Sequence, residues 1–257
     1  MSVQSKKRHN NIISFLQEHG FCKTIDLAER FEVAVETIRG DLSKIEKEGK
    51  LIRKHGGAVL HQQSINGELS FDQRNIKNIR EKKAIAKLAL EYIEEGDTIF
   101  LDGGTTTWQM AQGMPDIAIT VITDSIRVIA SLSHLKNITT IAIGGTIWSP
   151  SQTIIGPTAI AMIKDCYVDK YFFGCQGFHM DWGISDSNHD VASIKKAMLK
   201  HSKQHYLLLD SQKINTRSVV RFTEIDDVQF ILTDDKAEPK VIKALKARHK
   251  NTSIISS

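Results

Sequence analysis

Residues 97–110 read DTIFLDGGTTTWQM, an apolar run followed by a loop rich in glycine and threonine. The run at 98–101 predicts a buried strand, and the threonines at 105–107 predict the start of a helix. Between them, Gly103 and Gly104 let the backbone approach an anion closely, and the free amides at a helix start attract phosphate. The stretch therefore predicts a strand–loop–helix unit whose loop holds a negatively charged ligand.

The same succession of short apolar runs and helical patterns continues along the chain. We predict strands at 98–101, 119–123, 139–143, 170–174, 206–209 and 230–233, and helices at 106–113, 125–132, 192–201 and 239–249. Strands that alternate with helices predict an α/β domain with a mainly parallel sheet. In such sheets, ligands bind beyond the carboxyl ends of the strands.

Several predicted strand ends carry residues suited to a phosphate group: glycines for close approach, hydroxyls for hydrogen bonds and lysines for charge. The candidate effector-binding residues are Asp102, Gly103, Gly104, Thr105, Thr106, Thr107, Thr123, Asp124, Ser125, Gly144, Gly145, Gln176, Gly177, Lys195 and Lys213. Each feature alone has an ordinary structural alternative, because a threonine after a strand is often a helix cap and Gly-Gly is often a turn. Together they favour a small phosphorylated ligand.

Motifs for other chemistry are missing from the sequence. No lysine follows the glycines as a P-loop requires, and no GxGxxG supports a dinucleotide, so we expect no such cofactor. His201 and His205 are four residues apart, but no third metal ligand is evident, so we expect no metal site. The signatures of serine hydrolases and zinc proteases are absent too, and we expect no catalytic residue.

Residues 6–48 show helical periodicity throughout. The third predicted helix has an apolar stripe at Val35, Ile38, Leu42 and Ile45. A hairpin is predicted at residues 51–60, with its turn at Gly56-Gly57. Three helices and a hairpin are the layout of a winged helix-turn-helix, whose third helix enters the major groove of DNA. The alternative is a three-helix domain that binds protein.

Outward-facing side chains in this region favour the DNA interpretation. The candidate DNA-binding residues are Thr37, Arg39, Ser43, Lys44, Arg53, Lys54 and His55. Residues 1–60 carry 11 Lys or Arg against 8 Asp or Glu, so three of the chain's four net positive charges lie there. Charge alone is equally compatible with a solvated surface, so the polar face of the third helix is the stronger indication.

The two periodicities divide the 257 residues into a DNA-binding domain at 1–60, a polar linker at 61–80 and a sensing α/β domain at 81–257. The N-terminus has no signal-peptide core, and no run of about 18 apolar residues occurs. We therefore expect a cytoplasmic protein without a membrane partner. Three cysteines without a CxxC pair suit a reducing compartment.

A series of short motifs runs along nearly the whole chain in a fixed order. They are TIRGDL at 37–42, HGGA at 55–58, FDQR at 71–74, GDTIFLDGGTTT at 96–107, TDS at 123–125, GGT at 144–146, DSQK at 210–213 and LTD at 232–234. In this order they resemble the DeoR family of bacterial transcriptional regulators. The resemblance implies operator DNA as partner, a phosphorylated sugar as effector, a homo-oligomer, and a sensor domain related in fold to ribose-phosphate isomerases and CoA transferases.

Within that family, three stretches are similar to regulators of L-fucose operons. They lie at 107–125, at GCQGF (174–178) and at 196–210. This similarity implies a ketose phosphate such as L-fuculose 1-phosphate as effector and an activator of transcription. With another sugar, the family implies a repressor.

Three positions depart from the family pattern: Ala34 stands where a capping serine is usual, Gly40 where a second arginine is usual, and Gln176 where related proteins often carry a carboxylate. An amide cannot serve as the base that aldose–ketose isomerisation needs, so we expect a sensor and not an enzyme. The alternative is an isomerase- or CoA transferase-like enzyme with a fused DNA-binding head. Its acid–base candidates are Asp102, Asp124, Asp186 and Asp190.

Overall fold

The computed structural model describes residues 3–19, 21–47, 51–54, 56–60 and 69–256. The chain forms two compact units, Met1–Lys77 and Asn78–Ser257. The predicted domain limits at residues 60 and 80 stay predictions, and residues 61–68 of the predicted linker lie outside the described residues. Within the described ranges, no helix is both long enough and apolar enough to cross a membrane.

The first unit is mainly helical. Its elements are α1 (Val3–His19), β1 (Phe21–Lys23), α2 (Thr24–Arg30), α3 (Val35–Lys47), β2 (Leu51–Lys54), β3 (Gly57–Leu60) and α4 (Phe71–Ile76). The apolar stripe of the third helix is confirmed, because Ile38, Leu42 and Ile45 are buried and pack in one core with Ile12 and Leu16 of α1. Residues spaced three and four apart share one helix face, so this stripe fixes which face of α3 remains outside.

The three strands of this unit form an antiparallel sheet in the order β1-β3-β2. The predicted hairpin is present, but its turn differs from the prediction. Lys54 pairs with Gly57, so Gly57 belongs to β3 and not to the turn, and Gly56 adopts the positive φ of 76° that glycine tolerates. Gly57 already belongs to the central strand, where it also pairs with Lys23. The sequence could not reveal this, because the short β1 carries no clear strand pattern.

The second unit is an α/β domain. Its helices are α5 (Ile79–Leu90), α6 (Thr105–Gln112), α7 (Ile126–Leu132), α8 (Pro157–Lys164), α9 (His189–Lys200) and α10 (Pro239–Arg248). Its strands are β4 (Thr98–Leu101), β5 (Ile119–Thr123), β6 (Ile138–Ala142), β7 (Thr146–Trp148), β8 (Thr153–Ile155), β9 (Val168–Phe173), β10 (Gly177–His179), β11 (Gly183–Asp186), β12 (Ser202–Leu209), β13 (Val220–Thr223), β14 (Phe230–Thr233) and β15 (Ser253–Ser256).

Seven of these strands form one parallel sheet in the order β15-β14-β12-β9-β4-β5-β6. The prediction of an α/β domain with a mainly parallel sheet is confirmed, and all six predicted strands belong to this sheet. The seventh strand, β15, was not predicted, because its sequence SIIS contains only two apolar residues.

Helices cover both faces of this sheet. Ile99 and Leu101 of β4 pack into a core with α5, α6 and α7, whereas Phe100 packs on the opposite face with residues of α8 and α9. Strand side chains alternate between faces, so a strand buried on both sides is continuously apolar. This explains why the run TIFL lacks the alternation of a half-exposed strand.

The order of the strands reverses between β4 and β9, and we refer to the region beyond the carboxyl ends of these two strands as the crevice. After β4 the chain proceeds through β5 and β6 toward one edge, and it then returns to β9 on the other side of β4. Such a reversal is the topological switch point at which parallel α/β sheets bind ligands. The loops at this point begin at Asp102 and Gly174. The loop within residues 97–110 therefore lies where a parallel α/β sheet is expected to bind its ligand.

Two small antiparallel sheets, β7-β8 and β10-β11-β13, complete the unit. The first of them adjoins the end of β5: Ile154 donates its N–H to the carbonyl oxygen of Asp124 at 2.7 Å, and Thr153 forms a bridge with Ser125. This hairpin therefore lies beside the carboxyl end of the parallel sheet.

Candidate functional site

The outer face of α3 carries the polar side chains predicted to contact DNA. Thr37, Arg39 and Lys44 are exposed, whereas Ser43 is half-buried. Arg39 pairs with Glu36 one turn earlier at 2.5 Å. This pair is open to solvent, so it costs little to exchange for a contact with DNA.

The hairpin contributes a second set of predicted DNA contacts. Arg53 of β2 is exposed, and its backbone N–H donates to the Glu46 carboxylate at 2.9 Å, which links the hairpin to the end of α3. The side chain of Lys54 and all of His55 lie outside the described residues. A groove of about 290 Å³ between α3 and the hairpin is lined by Arg39 and Arg53 and also by Lys23, which the sequence analysis did not name.

Asp41, a buried carboxylate in the TIRGDL motif, holds α3 in place. Asp41 accepts a hydrogen bond from Arg8 Nε at 2.6 Å, and His9 Nε2 lies 2.8 Å from its other oxygen. Burial acts to raise the pKa of the Asp41 carboxyl, but the bonds from Arg8 and His9 outweigh it and hold that pKa below its usual value. Asp41 thereby ties α3 to α1, a role that its position in a helical pattern did not indicate.

Ala34, which stands where the family usually has a capping serine, immediately precedes α3. The carbonyl oxygen of Ala34 accepts hydrogen bonds from the N–H groups of Thr37 and Ile38, which is the backbone role of a residue that precedes a helix. Its methyl side chain cannot accept a further bond from the helix, and a serine there is worth about 1 kcal/mol.

Gly57→Ala should destabilise the first unit by about 1–3 kcal/mol and weaken DNA binding. A Cβ at this position would lie 2.2 Å from the Cys22 carbonyl oxygen of β1, so the central strand must move. Thermal unfolding and operator binding measure the two effects. Gly40→Ala is the matched control: its Cβ would meet nothing within 4 Å, and it should stabilise the helix by about 1 kcal/mol. Normal operator binding by Gly57→Ala would show that the hairpin is not a DNA contact.

In the second unit, Asp102 organises the loop after β4. One carboxylate oxygen accepts hydrogen bonds from Gly104 N at 2.9 Å and from the Thr107 hydroxyl at 2.8 Å. The other accepts from Gly174 N at 2.9 Å, across the crevice between β4 and β9, and lies 3.1 Å from Lys195 Nζ. The carboxylate therefore fixes the glycine loop and joins it to the neighbouring strand.

Lys195 of α9 is buried and pairs with two carboxylates. Its ammonium group donates to the Gly174 carbonyl at 2.6 Å and to Asp186 at 2.8 Å, and it faces Asp102. Burial favours the neutral amine, but Asp186 and Asp102 outweigh this effect and hold the pKa of Lys195 above its usual value. The structure thus places Lys195 in a buried ionic network at the predicted site.

Asp124, at the end of β5, lies next to this network in a buried position. Burial, and then the charge of Asp102, raise the pKa of the Asp124 carboxyl well above its usual value. Of the four acid–base candidates, Asp102, Asp124 and Asp186 come together around Lys195. Asp190 is exposed in the first turn of α9.

Hydroxyl groups predicted to contact the effector make internal bonds at this edge of the sheet. Thr123 donates to the Leu101 carbonyl at 2.6 Å and accepts from Ser125 N at 3.0 Å. Ser125 in turn caps α7 by accepting from Val128 N at 3.3 Å. These bonds hold the ends of β4 and β5 in register, so Thr123 and Ser125 shape the crevice.

The start of α6 has amides that no capping side chain occupies. Its N-cap is Gly104, which offers no side-chain bond to the following N–H groups, and Thr105 and Thr106 are buried there. Uncapped amides at a helix start, together with the helix dipole, favour an anion. Gly103 must lack a side chain, because a Cβ would lie 1.7 Å from Thr153 Cγ2 of the β7-β8 hairpin.

The remaining residues predicted to contact the effector lie on other elements of the second unit. Lys213 follows β12 and pairs with Asp210 at 3.4 Å. Burial raises the pKa of the Cys175 thiol to about 12, although the charges of Lys213 and Lys195 act to lower it. Gln176 is half-buried, and Gly177 is buried in β10. Gly144 and Gly145 are exposed after β6. Tyr171 of β9 was not predicted, yet the charges of Asp102, Asp124 and Asp186 act on its buried hydroxyl.

A winged helix-turn-helix followed by a parallel α/β domain with a ligand crevice defines a class of protein: DNA-binding transcriptional regulators with a sensor domain. Comparison with known families agrees. Residues 77–235 match the DeoR C terminal sensor domain, and residues 8–64 match the DeoR-like helix-turn-helix domain. The chain belongs to the DeoR family of transcriptional regulators, and the resemblance noted in the sequence is confirmed.

Individual relatives match over most of their length. The chain is 40% identical to an uncharacterized HTH-type transcriptional regulator, YulB, of Bacillus subtilis (strain 168), over 93% of each chain. It is 34% identical to the L-fucose operon activator of Escherichia coli (strain K12), over 89% of this chain and 95% of that one. Ribose 5-phosphate isomerase A of Methanocaldococcus jannaschii overlaps over 53% of this chain and 55% of that one, with 14% identity and a TM-score of 0.40, a likeness too low to bear on the site.

Proposed function

We propose that this regulator controls a carbohydrate-utilisation operon and that a phosphorylated sugar, bound at the switch point of its sensor domain, changes its DNA affinity or activity. The observation that carries the proposal is the uncapped start of α6 in the crevice between β4 and β9. The phosphate would lie against the loop at residues 102–107. The other candidate effector residues surround it or shape the crevice.

L-fuculose 1-phosphate is the first candidate effector, with activation of transcription as the outcome. It is supported by the identity of 34% with an L-fucose operon activator. A response to a different sugar phosphate would instead favour a repressor. In either case the two conformations must bind the effector unequally for the signal to reach DNA.

The DNA-binding partner would be a double-stranded operator read by α3, with Thr37, Arg39, Ser43, Lys44, Arg53, Lys54 and His55 as contacts. We propose a homo-oligomer, because two copies place two recognition helices on a palindromic site. A protein with this partner works where the chromosome lies, which is the cytoplasm.

A binding and turnover screen tests the function. The full chain first selects its operator from a random-sequence library, and pentose and hexose phosphates are then titrated against the fluorescent complex. We expect one sugar phosphate to shift operator affinity and to be recovered unchanged. Conversion of the sugar would favour the alternative, an isomerase- or transferase-like enzyme, which the gathering of Asp102, Asp124 and Asp186 around Lys195 makes worth testing.

Arg39→Ala and Lys44→Ala should affect DNA binding differently. Arg39 lies nearer the start of α3, where recognition helices read base edges, and an arginine can bond guanine in bidentate fashion. Its loss should relax discrimination among operator variants by about 1–3 kcal/mol. Lys44 lies further along and is expected to contact phosphate, so its loss should weaken binding to all sequences and lower the salt slope by about one unit. Fluorescence anisotropy at several salt concentrations measures both, and equal loss of specificity would contradict the assignment.

A further inference from the structure

Two buried polar atoms at the crevice have no hydrogen-bond partner among the described residues: Oδ1 of Asp124 and the hydroxyl of Tyr171. Asp124 is 2% exposed and Tyr171 is 0% exposed. Native structures rarely leave such groups unsatisfied, because each one costs free energy that a bond would recover. Two unsatisfied groups beside one crevice therefore point to a ligand.

The position of the Tyr171 hydroxyl is fixed by its ring. The ring stacks on Phe173 with centroids 4.6 Å apart and meets Phe100 edge-on at 5.5 Å. Tyr171 pairs with Phe100 of the neighbouring strand, so its side chain lies on the face of the sheet that Asp102, two residues after Phe100, also shares. Burial, and then the charges of Asp102, Asp124 and Asp186, raise the pKa of its hydroxyl. Tyr171 thus brings a hydrogen-bonding group to the same face of the sheet from β9.

This subsite adjoins the proposed phosphate loop. A Cβ on Gly103 would lie 3.6 Å from Oδ1 of Asp124, so the glycine loop lies beside the unsatisfied oxygen. A small ligand whose phosphate lies against the loop would therefore bring the rest of its carbon chain close to Asp124.

The charges of the cluster decide what it can bind. Lys195 carries one positive charge, and its partners Asp102 and Asp186 carry two negative charges, so negative charge is in excess. A second anionic group on the ligand would meet this excess of negative charge in a desolvated site, where repulsion is strong. A hydroxyl group, in contrast, carries no charge, and it can donate to the carboxyl oxygen of Asp124 and accept from the hydroxyl of Tyr171.

Resting on the proposed function, we propose that Asp124 and Tyr171 form a hydroxyl-binding subsite that selects an effector with one phosphate and an uncharged, hydroxylated far end. The subsite would exclude sugar bisphosphates and phosphorylated sugar acids. This assigns a specificity role to Tyr171, which no motif of the sequence contains.

Tyr171→Phe in the full chain tests the subsite, because it removes one hydroxyl and leaves the stacked ring. L-fuculose 1-phosphate, fructose 1-phosphate and sorbitol 6-phosphate are first compared on the wild-type protein, and the one that binds is used. Calorimetric titration should show that Tyr171→Phe binds this ligand about tenfold more weakly. Binding of inorganic phosphate should be unchanged. Tyr206→Phe is the matched control: its hydroxyl bonds Gln204 at 3.2 Å and its ring packs in the opposite core, so sugar phosphate binding should stay normal.

Charge selection is measured on the wild-type protein with matched ligand pairs. Fructose 1,6-bisphosphate should bind at least about tenfold more weakly than fructose 1-phosphate, and 6-phosphogluconate more weakly than sorbitol 6-phosphate. Equal binding within the pairs, or equal effects of the two tyrosine variants, would overturn the subsite while leaving the sensor function in place. Equal weakening of inorganic phosphate by Tyr171→Phe would also overturn it. Failure of every sugar phosphate to bind the wild type would overturn the sensor function itself and the subsite with it.

Discussion

Lys195→Met should lower the free energy of unfolding of the sensor domain by about 3–5 kcal/mol, because it leaves buried carboxylates without their cation. Asp102 and Asp186 are both buried and lie 3.1 and 2.8 Å from Lys195 Nζ. Urea denaturation followed by tryptophan fluorescence measures the loss in this domain alone, since all three tryptophans of the chain lie in the unit from Asn78 to Ser257.

Lys213→Met is the matched control for this experiment. It pairs with a single carboxylate, Asp210, at 3.4 Å, and its side chain is 23% exposed against 7% for Lys195, so its loss should cost less than the loss of Lys195. A loss below about 1 kcal/mol for Lys195→Met would mean that the carboxylates are compensated by other groups. The buried network would then not hold the loop.

Thr106→Glu should abolish the response to the effector while operator binding remains. Thr106 is buried in the first turn of α6, where a carboxylate would take the amides proposed for the phosphate and repel it. The residues proposed to contact DNA belong to a separate compact unit with its own core, so they should be unaffected. Titration of the effector against a fluorescent operator complex measures the loss, since an effector that cannot bind cannot shift the equilibrium.

Thr106→Gln separates charge from size, because glutamine has the length of glutamate without its charge. The response should be reduced less by glutamine than by glutamate, and tryptophan fluorescence shows whether each sensor domain is folded. Equal loss of response in two folded variants would assign the effect to packing. A normal response by Thr106→Glu would place the phosphate elsewhere and remove the loop from the site.

Much of the architecture was accessible from local patterns. The stripe Ile38, Leu42 and Ile45 predicted the buried face of α3 and, with it, the face that remains outside the core. The six apolar runs predicted six of the seven parallel strands, since buried strands must be continuously apolar. The glycine–threonine loop after β4 was predicted beside a strand end, where the structure places it at the switch point.

The bonds within the candidate site were not accessible in the same way. Asp102 meets Gly174, 72 residues later, and Asp41 meets Arg8 and His9 across two helices. Lys195 was predicted as a cationic contact of the effector, and the structure adds that it pairs with two buried carboxylates. Contacts of this kind cannot be predicted from the spacing of residues or from composition.

The sequence by itself determined the class of secondary structure and the chemistry available at the strand ends, because periodicity and turn residues act over a few neighbours. Only the tertiary structure decided the strand order, and with it the crevice between β4 and β9. It also decided that Gly57 sits in a central strand and that Tyr171 pairs with Phe100 on the sheet face of Asp102. These features arise from contacts between residues far apart in the chain, which local patterns do not encode.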